Sequence, residues 1–104
     1  MTVKHVFYVG LNDKDSKVQV INSIDAARIV ERVFMNHGTD CTISGGRGIY
    51  HHEDGCIVCE ETVIVQCYEF GAPVPVAAIC EDLKKMLNQE SVAVESTETN
   101  SKLY

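Results

Sequence analysis

The residue types able to do chemistry crowd into one stretch, Ser44 to Thr62, SGGRGIYHHEDGCIVCEET, which holds glycines, one arginine, two histidines, two thiols and four acids. Three chemistries are open to it. His51, His52, Glu53, Asp54, Cys56 and Cys59 supply every ligand type that zinc prefers. His51 or His52 facing Cys56 or Cys59 would make an activated thiol nucleophile. Gly45-Gly46-Arg47-Gly48 offers backbone N–H groups beside a guanidinium, the combination that holds small anions and phosphates.

Spacing sorts these options. Strand-like alternation on both sides of Asp54-Gly55 predicts a β-hairpin, which brings its two arms face to face. In an extended strand Cys56 and Cys59 point to opposite faces, so a shared tetrahedral ion would need a break that Ile57, Val58, Val63 and Val65 do not encourage. No metal and no other cofactor is expected. Catalysis lacks an oriented third residue, a nucleophile elbow and a lid-like insertion, and no catalytic residue is assigned. The glycine-arginine run is not a Walker loop, because no Gly-Lys-Ser/Thr follows, and a strand rather than a helix comes next, which excludes a dinucleotide fingerprint.

A binding edge remains. In this reading Arg47 pairs with an anion, Gly45, Gly46 and Gly48 donate backbone N–H groups, Tyr50 stacks, Glu60 and Gln66 read polar groups, and His52 adjoins them. Glu60 and Glu61 stand in mid-strand, where an ionised carboxylate loses hydration, so one strand face must take a charge. The plainer alternatives are a glycine bulge with an exposed Arg47, a solvated Glu60, and thiols serving as small hydrophobes.

The elements that must position these residues follow from periodicity. Lys4 to Leu11 alternates as a central strand. Asn12 to Ser16 is a polar loop, and Val18, Val20 and Ile21 either add a short strand or tuck onto the core. Ser23 is read as an N-cap, followed by Ala26, Ile29, Val30, Val33 and Phe34 at helical spacing up to Gly38. Thr42 to Tyr50 and Cys56 to Phe70 are strands. Gly71-Ala72-Pro73 ends the second of them, and Pro75 opens a helix whose stripe is Val76, Ile79, Cys80, Leu83, Met86 and Leu87. Ser91 to Ser96 is the last strand. The order β-α-β-β-α-β predicts an α+β, ferredoxin-like fold, a four-stranded antiparallel sheet with two helices on one face. Residues 1–96 form one domain in this reading, and 97–104 a polar C-terminal tail. The sheet face away from the helices carries Val58, Ile64 and Tyr68, which predicts self-association through a sheet face or edge.

Phe7-Tyr8-Val9-Gly10-Leu11, Gly48-Ile49-Tyr50, Asp54-Gly55, Ile57-Val58, Glu60, Thr62 and Gln89-Glu90-Ser91-Val92 resemble the pattern of a small bacterial family of unknown function. The resemblance covers most of the chain in order. It implies the ferredoxin-like fold and singles out Glu60; the family has no established chemistry to carry over. Its members usually look exported, whereas this chain starts without an export signal and has Tyr50 at the aromatic position.

Composition sets the outer bounds. A chain of 104 residues holds one core and leaves a ligand site shallow or shared between subunits. No apolar run approaches a membrane span, and an N-terminus without a signal-peptide pattern together with five cysteines, an odd count, predicts a cytoplasmic protein with free thiols. A net charge of -6, with no clustering of basic residues, argues against general nucleic-acid binding. The expected function is a non-catalytic, homo-oligomeric module that senses or sequesters a small polar or anionic, nucleotide-like ligand. The alternatives are a protein-interaction or inhibitor module, and a small thiol- or metal-dependent enzyme.

Overall fold

The computed structural model describes residues 1–104, and the element order is the one periodicity predicts: β1 Thr2–Gly10, α1 Ser23–Asn36, β2 Thr42–His51, β3 Ile57–Tyr68, α2 Val76–Met86 and β4 Ala93–Thr99. The four strands form one antiparallel sheet in the order β2-β3-β1-β4. The fold is ferredoxin-like α+β. No helix is long and apolar enough to cross a membrane.

The period of two along each strand decides what is buried. Phe7, Val9, Val63, Val65 and Cys67 point to one face, where they meet Ala26, Val30, Val33 and Phe34 of α1 and Ile79 and Leu83 of α2. Phe7 and Phe34 pack edge to face with ring centroids 5.1 Å apart, the arrangement their quadrupoles favour. The second sheet face has no helix over it. There the register sets Tyr8 against Ile64, Gly10 against Thr62 and Gly48 against Glu60.

Several boundaries move for identifiable reasons. Asn22, not Ser23, caps α1: its Oδ1 accepts from Asp25 N at 2.9 Å while its Nδ2 donates to Asp25 Oδ2 at 2.9 Å. Pro75 stands just outside α2 as its N-cap rather than inside its first turn. Val18 and Val20 do not tuck onto the core but stay exposed, flanking a single bridge between Asn12 and Gln19, and only Ile21 packs against the core. β4 continues past Ser96 to Thr99, since Thr97, Glu98 and Thr99 pair with Lys4, Val3 and Thr2. An edge strand needs its backbone bonds satisfied more than it needs apolar side chains.

Candidate functional site

Beyond the Gly10–Thr62 pair β1 stops, but β2 and β3 run on together to the His51–Ile57 pair as a two-stranded arm. The arm closes through Gly55 N donating to His52 O at 2.9 Å and His52 N to Cys56 O at 2.8 Å, with Gly55 at φ 86°. Asp54 Oδ1 accepts from Cys56 N at 2.9 Å, a bond that favours the ionised form and holds the Asp54 carboxyl below its ordinary value.

A cleft of ≈ 550 Å³ opens where this arm leaves the sheet. Tyr8 and Gly10 come from β1, Tyr50 from β2, Val58 and Glu60 from β3 and Ala93 from β4; the loop after β1 and the turn before β4, with Gln89, close one side. Glu60 lies at the base of the arm and leans diagonally onto β1. Its Oε2 accepts from Asn12 N at 3.0 Å. A Cβ at position 10 would overlap the carboxylate, so Gly10 is the residue that lets Glu60 lie there. Gly48 does the same for Tyr50, whose phenol folds back over its Cα. Asn12 is held in turn through its carbonyl, which accepts from Gln89 Nε2 at 2.9 Å. No cationic side chain of the protein pairs with Glu60. Its second oxygen is free for a ligand.

Of the residues that sequence reasoning grouped together, Tyr50, His52 and Glu60 line this cleft. Gly45, Gly46, Arg47 and Gly48 do not. The three glycines lie in the regular ladder opposite Val63, Thr62 and Glu60, without the positive φ that gathers N–H groups into an anion nest. Arg47 stands opposite Glu61, and the period of two puts it on the other face of the arm from Tyr50 and Glu60. Gln66 shares the face of Glu60 but sits six residues further along β3, roughly 20 Å away at strand rise, where it lines a separate depression with Tyr68 and Phe70. His51 and His52 make no side-chain hydrogen bond to a thiol or carboxylate within the cleft, and the thiols of Cys56 and Cys59 are exposed and free.

Tyr8, Gly10, Asn12 and Gln89 are among the lining residues that the sequence reading left out of the site. Tyr8, Gly10 and Gln89 belong to the motifs quoted for the family resemblance. Asn12 acts through its main chain, for which side-chain identity gives no signal.

No protein-family model matches the chain, and no curated protein matches it significantly. Solved structures do. A phage SAM lyase in complex with S-methyl-5'-thioadenosine superimposes with a TM-score of 0.71 at 24% identity, over 93% of this chain and 81% of that one. The periplasmic divalent cation tolerance protein CutA from Archaeoglobus fulgidus gives 0.62 at 13% identity, over 96% of this chain and 87% of that one. B. subtilis GlnK in complex with ATP gives 0.55 at 14% identity, over 92% and 81%. At these identities the likeness is one of fold, and it supports the ferredoxin-like architecture.

Proposed function

We propose that the Glu60 cleft binds an adenosine-bearing ligand, that this ligand is S-adenosylmethionine, and that a homo-oligomer of the chain cleaves it to S-methyl-5'-thioadenosine. The observation that carries the reading is the Glu60 carboxylate, held in place by Gly10 and Asn12 N, unpaired with any protein cation, and flanked by Tyr8 and Tyr50. A sulfonium or ammonium group complements that carboxylate, and an aromatic ring offers a purine a flat surface. The reading moves the charged contact from Arg47 and an anion to Glu60 and a cation. Further support comes from two of the structural neighbours, which hold S-methyl-5'-thioadenosine and ATP, both adenosine compounds.

The chemistry asked of the site is modest. S-methyl-5'-thioadenosine keeps the methyl and adenosyl groups, so the bond that breaks joins sulfur to the γ-carbon of the methionyl chain, and its electron pair neutralises the sulfonium. The four-carbon fragment then completes its valence by attack of its own carboxylate on the γ-carbon, which closes a lactone. That route consumes no external nucleophile and releases no proton. The role left to the protein is to orient the chain and exclude water. Tyr8 and Tyr50 stay substantially exposed in the single chain, which supports a second copy covering them.

The test is incubation of the purified protein with S-adenosylmethionine and detection of S-methyl-5'-thioadenosine by mass spectrometry. Product is expected from the parent chain and a loss of about tenfold or more from Glu60→Gln, the scale of one charge-assisted bond. No product, together with no thermal stabilisation by either compound, would sink the reading. The second reading is a sensor that holds the same class of ligand without turnover. It is favoured by the absence of any nucleophile-base pair in contact within the cleft, and stabilisation without product would select it.

A further inference from the structure

The sequence reading finds no clustering of basic residues, but the fold makes one. Lys14 and Lys17 in the loop after β1, and Lys84 and Lys85 in the last turn of α2, line one depression of ≈ 680 Å³ that has no hydrophobic residue in its wall. That gathers four of the nine Lys and Arg side chains of an acidic protein. Lysines suit the carbonyl end of a helix, which accounts for Lys84 and Lys85. It does not account for Lys14 and Lys17.

The wall also carries two carboxylates, Asp15 and Glu90, neither within ion-pair distance of a lysine. Asn88 Nδ2 donates to Asp13 Oδ1 at 2.7 Å and to Asp15 Oδ2 at 2.9 Å. Lys84 pairs with Glu81 at 2.7 Å, whereas Lys14, Lys17 and Lys85 have no carboxylate within ion-pair distance. The loop is also fixed in place. Lys14 N donates to Asn88 O at 3.0 Å and Lys17 N to Asp13 O at 2.8 Å; Lys17 holds a left-handed φ of 65°, and Asn88, at 49°, takes the left-handed position that ends α2, with Gln89 N donating to Lys84 O at 3.0 Å. Three unpaired ammonium groups are therefore presented from a rigid frame. The depression runs into the Glu60 cleft, since Lys14, Lys17, Gln89 and Glu90 line both.

We infer that this depression is a binding site for a polyphosphate chain. Resting on the adenosine reading of the cleft, a nucleoside polyphosphate would span the two, with its nucleoside beside Glu60 and its phosphates on the lysines, and would compete with the ligand of the cleft. The pairing matches charge to place: the carboxylate end of the combined groove takes a neutral or cationic nucleoside, and the lysine end takes the anion.

Calorimetric titration of the full chain with tripolyphosphate, ATP and S-methyl-5'-thioadenosine separates the parts. Tripolyphosphate is expected to bind alone, and to weaken steeply with salt because the lysines are exposed. Lys85→Gln, which lies outside the cleft, should weaken it by about threefold and leave S-methyl-5'-thioadenosine unaffected. ATP should displace S-methyl-5'-thioadenosine. No tripolyphosphate binding at low salt, or binding unchanged in a Lys14→Gln, Lys17→Gln, Lys85→Gln triple variant, overturns the anion site. Lysine-dependent binding of tripolyphosphate without competition between ATP and S-methyl-5'-thioadenosine overturns the spanning ligand. If S-methyl-5'-thioadenosine does not bind while tripolyphosphate still does so through the lysines, the adenosine reading fails and the anion site stands.

Discussion

At the scale of single residues, Glu60 owes its position to a residue that has no side chain. Its carboxylate occupies the space a Cβ of Gly10 would fill and takes a hydrogen bond from Asn12 N. A methyl group there meets only the far end of the Glu60 side chain, since Gly10 pairs with Thr62 of β3 and lies beyond the last β1–β4 pair, Tyr8 with Ala93. Gly10→Ala is therefore expected to push the carboxylate off Asn12 N at little cost to global stability, because the Glu60 side chain can swing aside, and to weaken the proposed S-adenosylmethionine binding. Urea denaturation and a binding titration on the same sample check this. A variant that loses stability yet binds normally would show that the position of the Glu60 carboxylate is immaterial to the cleft. Glu60 was legible in the sequence as a mid-strand charge needing a reason. Gly10 was not, because its function is an absence, visible only once the register sets β1 beside the base of the arm.

At the scale of elements, the loop after β1 depends on Asp13, which caps its own turn by accepting from Asp15 N and Ser16 N at 3.0 Å each and from Asn88 Nδ2 at 2.7 Å. Asn88 first, and then the backbone N–H of Ser16, stabilise the ionised form and hold the Asp13 carboxyl down at about 2 from an ordinary 3.8. A carboxyl whose folded value is depressed contributes in full above its unfolded value, and that contribution is lost as pH falls through the folded one. The loop should accordingly hold down to pH 3.8 and loosen between there and about 2. An NMR titration of the Asp13 carboxyl carbon is expected to give a midpoint of about 2, moving back towards 3.8 in Asn88→Ala; an unmoved midpoint would remove Asn88 as the cause. Elements with strong periods were readable in advance: alternation marked Lys4 to Leu11 as a central strand and set Val58, Ile64 and Tyr68 on the face away from the helices, and Val30, Val33 and Phe34 marked a helix, although which face of the first strand meets it came only from the structure. Irregular segments were not. The anchor between Asp13 and Asn88 joins residues 75 positions apart through side chains that in a sequence signal only turns.

At the scale of the whole molecule, the hairpin arm extends a chain that measures 45 × 27 × 21 Å along its principal axes. Past the end of β1 the odd-numbered face of the arm has lost the helices that cover the same face further down, so Ile49 and Ile57 are 64% and 63% exposed. Isolated apolar side chains on a surface are ordinary, but two branched ones on a projecting ribbon, with Tyr50 on its reverse face, suit burial against another copy. Replacing Ile49 and Ile57 with Asp removes that burial without touching the core, because neither belongs to the buried cluster. The double variant is expected to keep its circular dichroism spectrum and its cooperative unfolding. Sedimentation at matched concentration should show it one subunit in size where the parent chain is larger. Because Tyr50 lines the cleft from the same arm, the variant should also bind S-adenosylmethionine at least about tenfold more weakly. A parent chain that sediments as a monomer and still turns over substrate would remove the oligomer from the mechanism and leave the cleft as a complete site within one subunit.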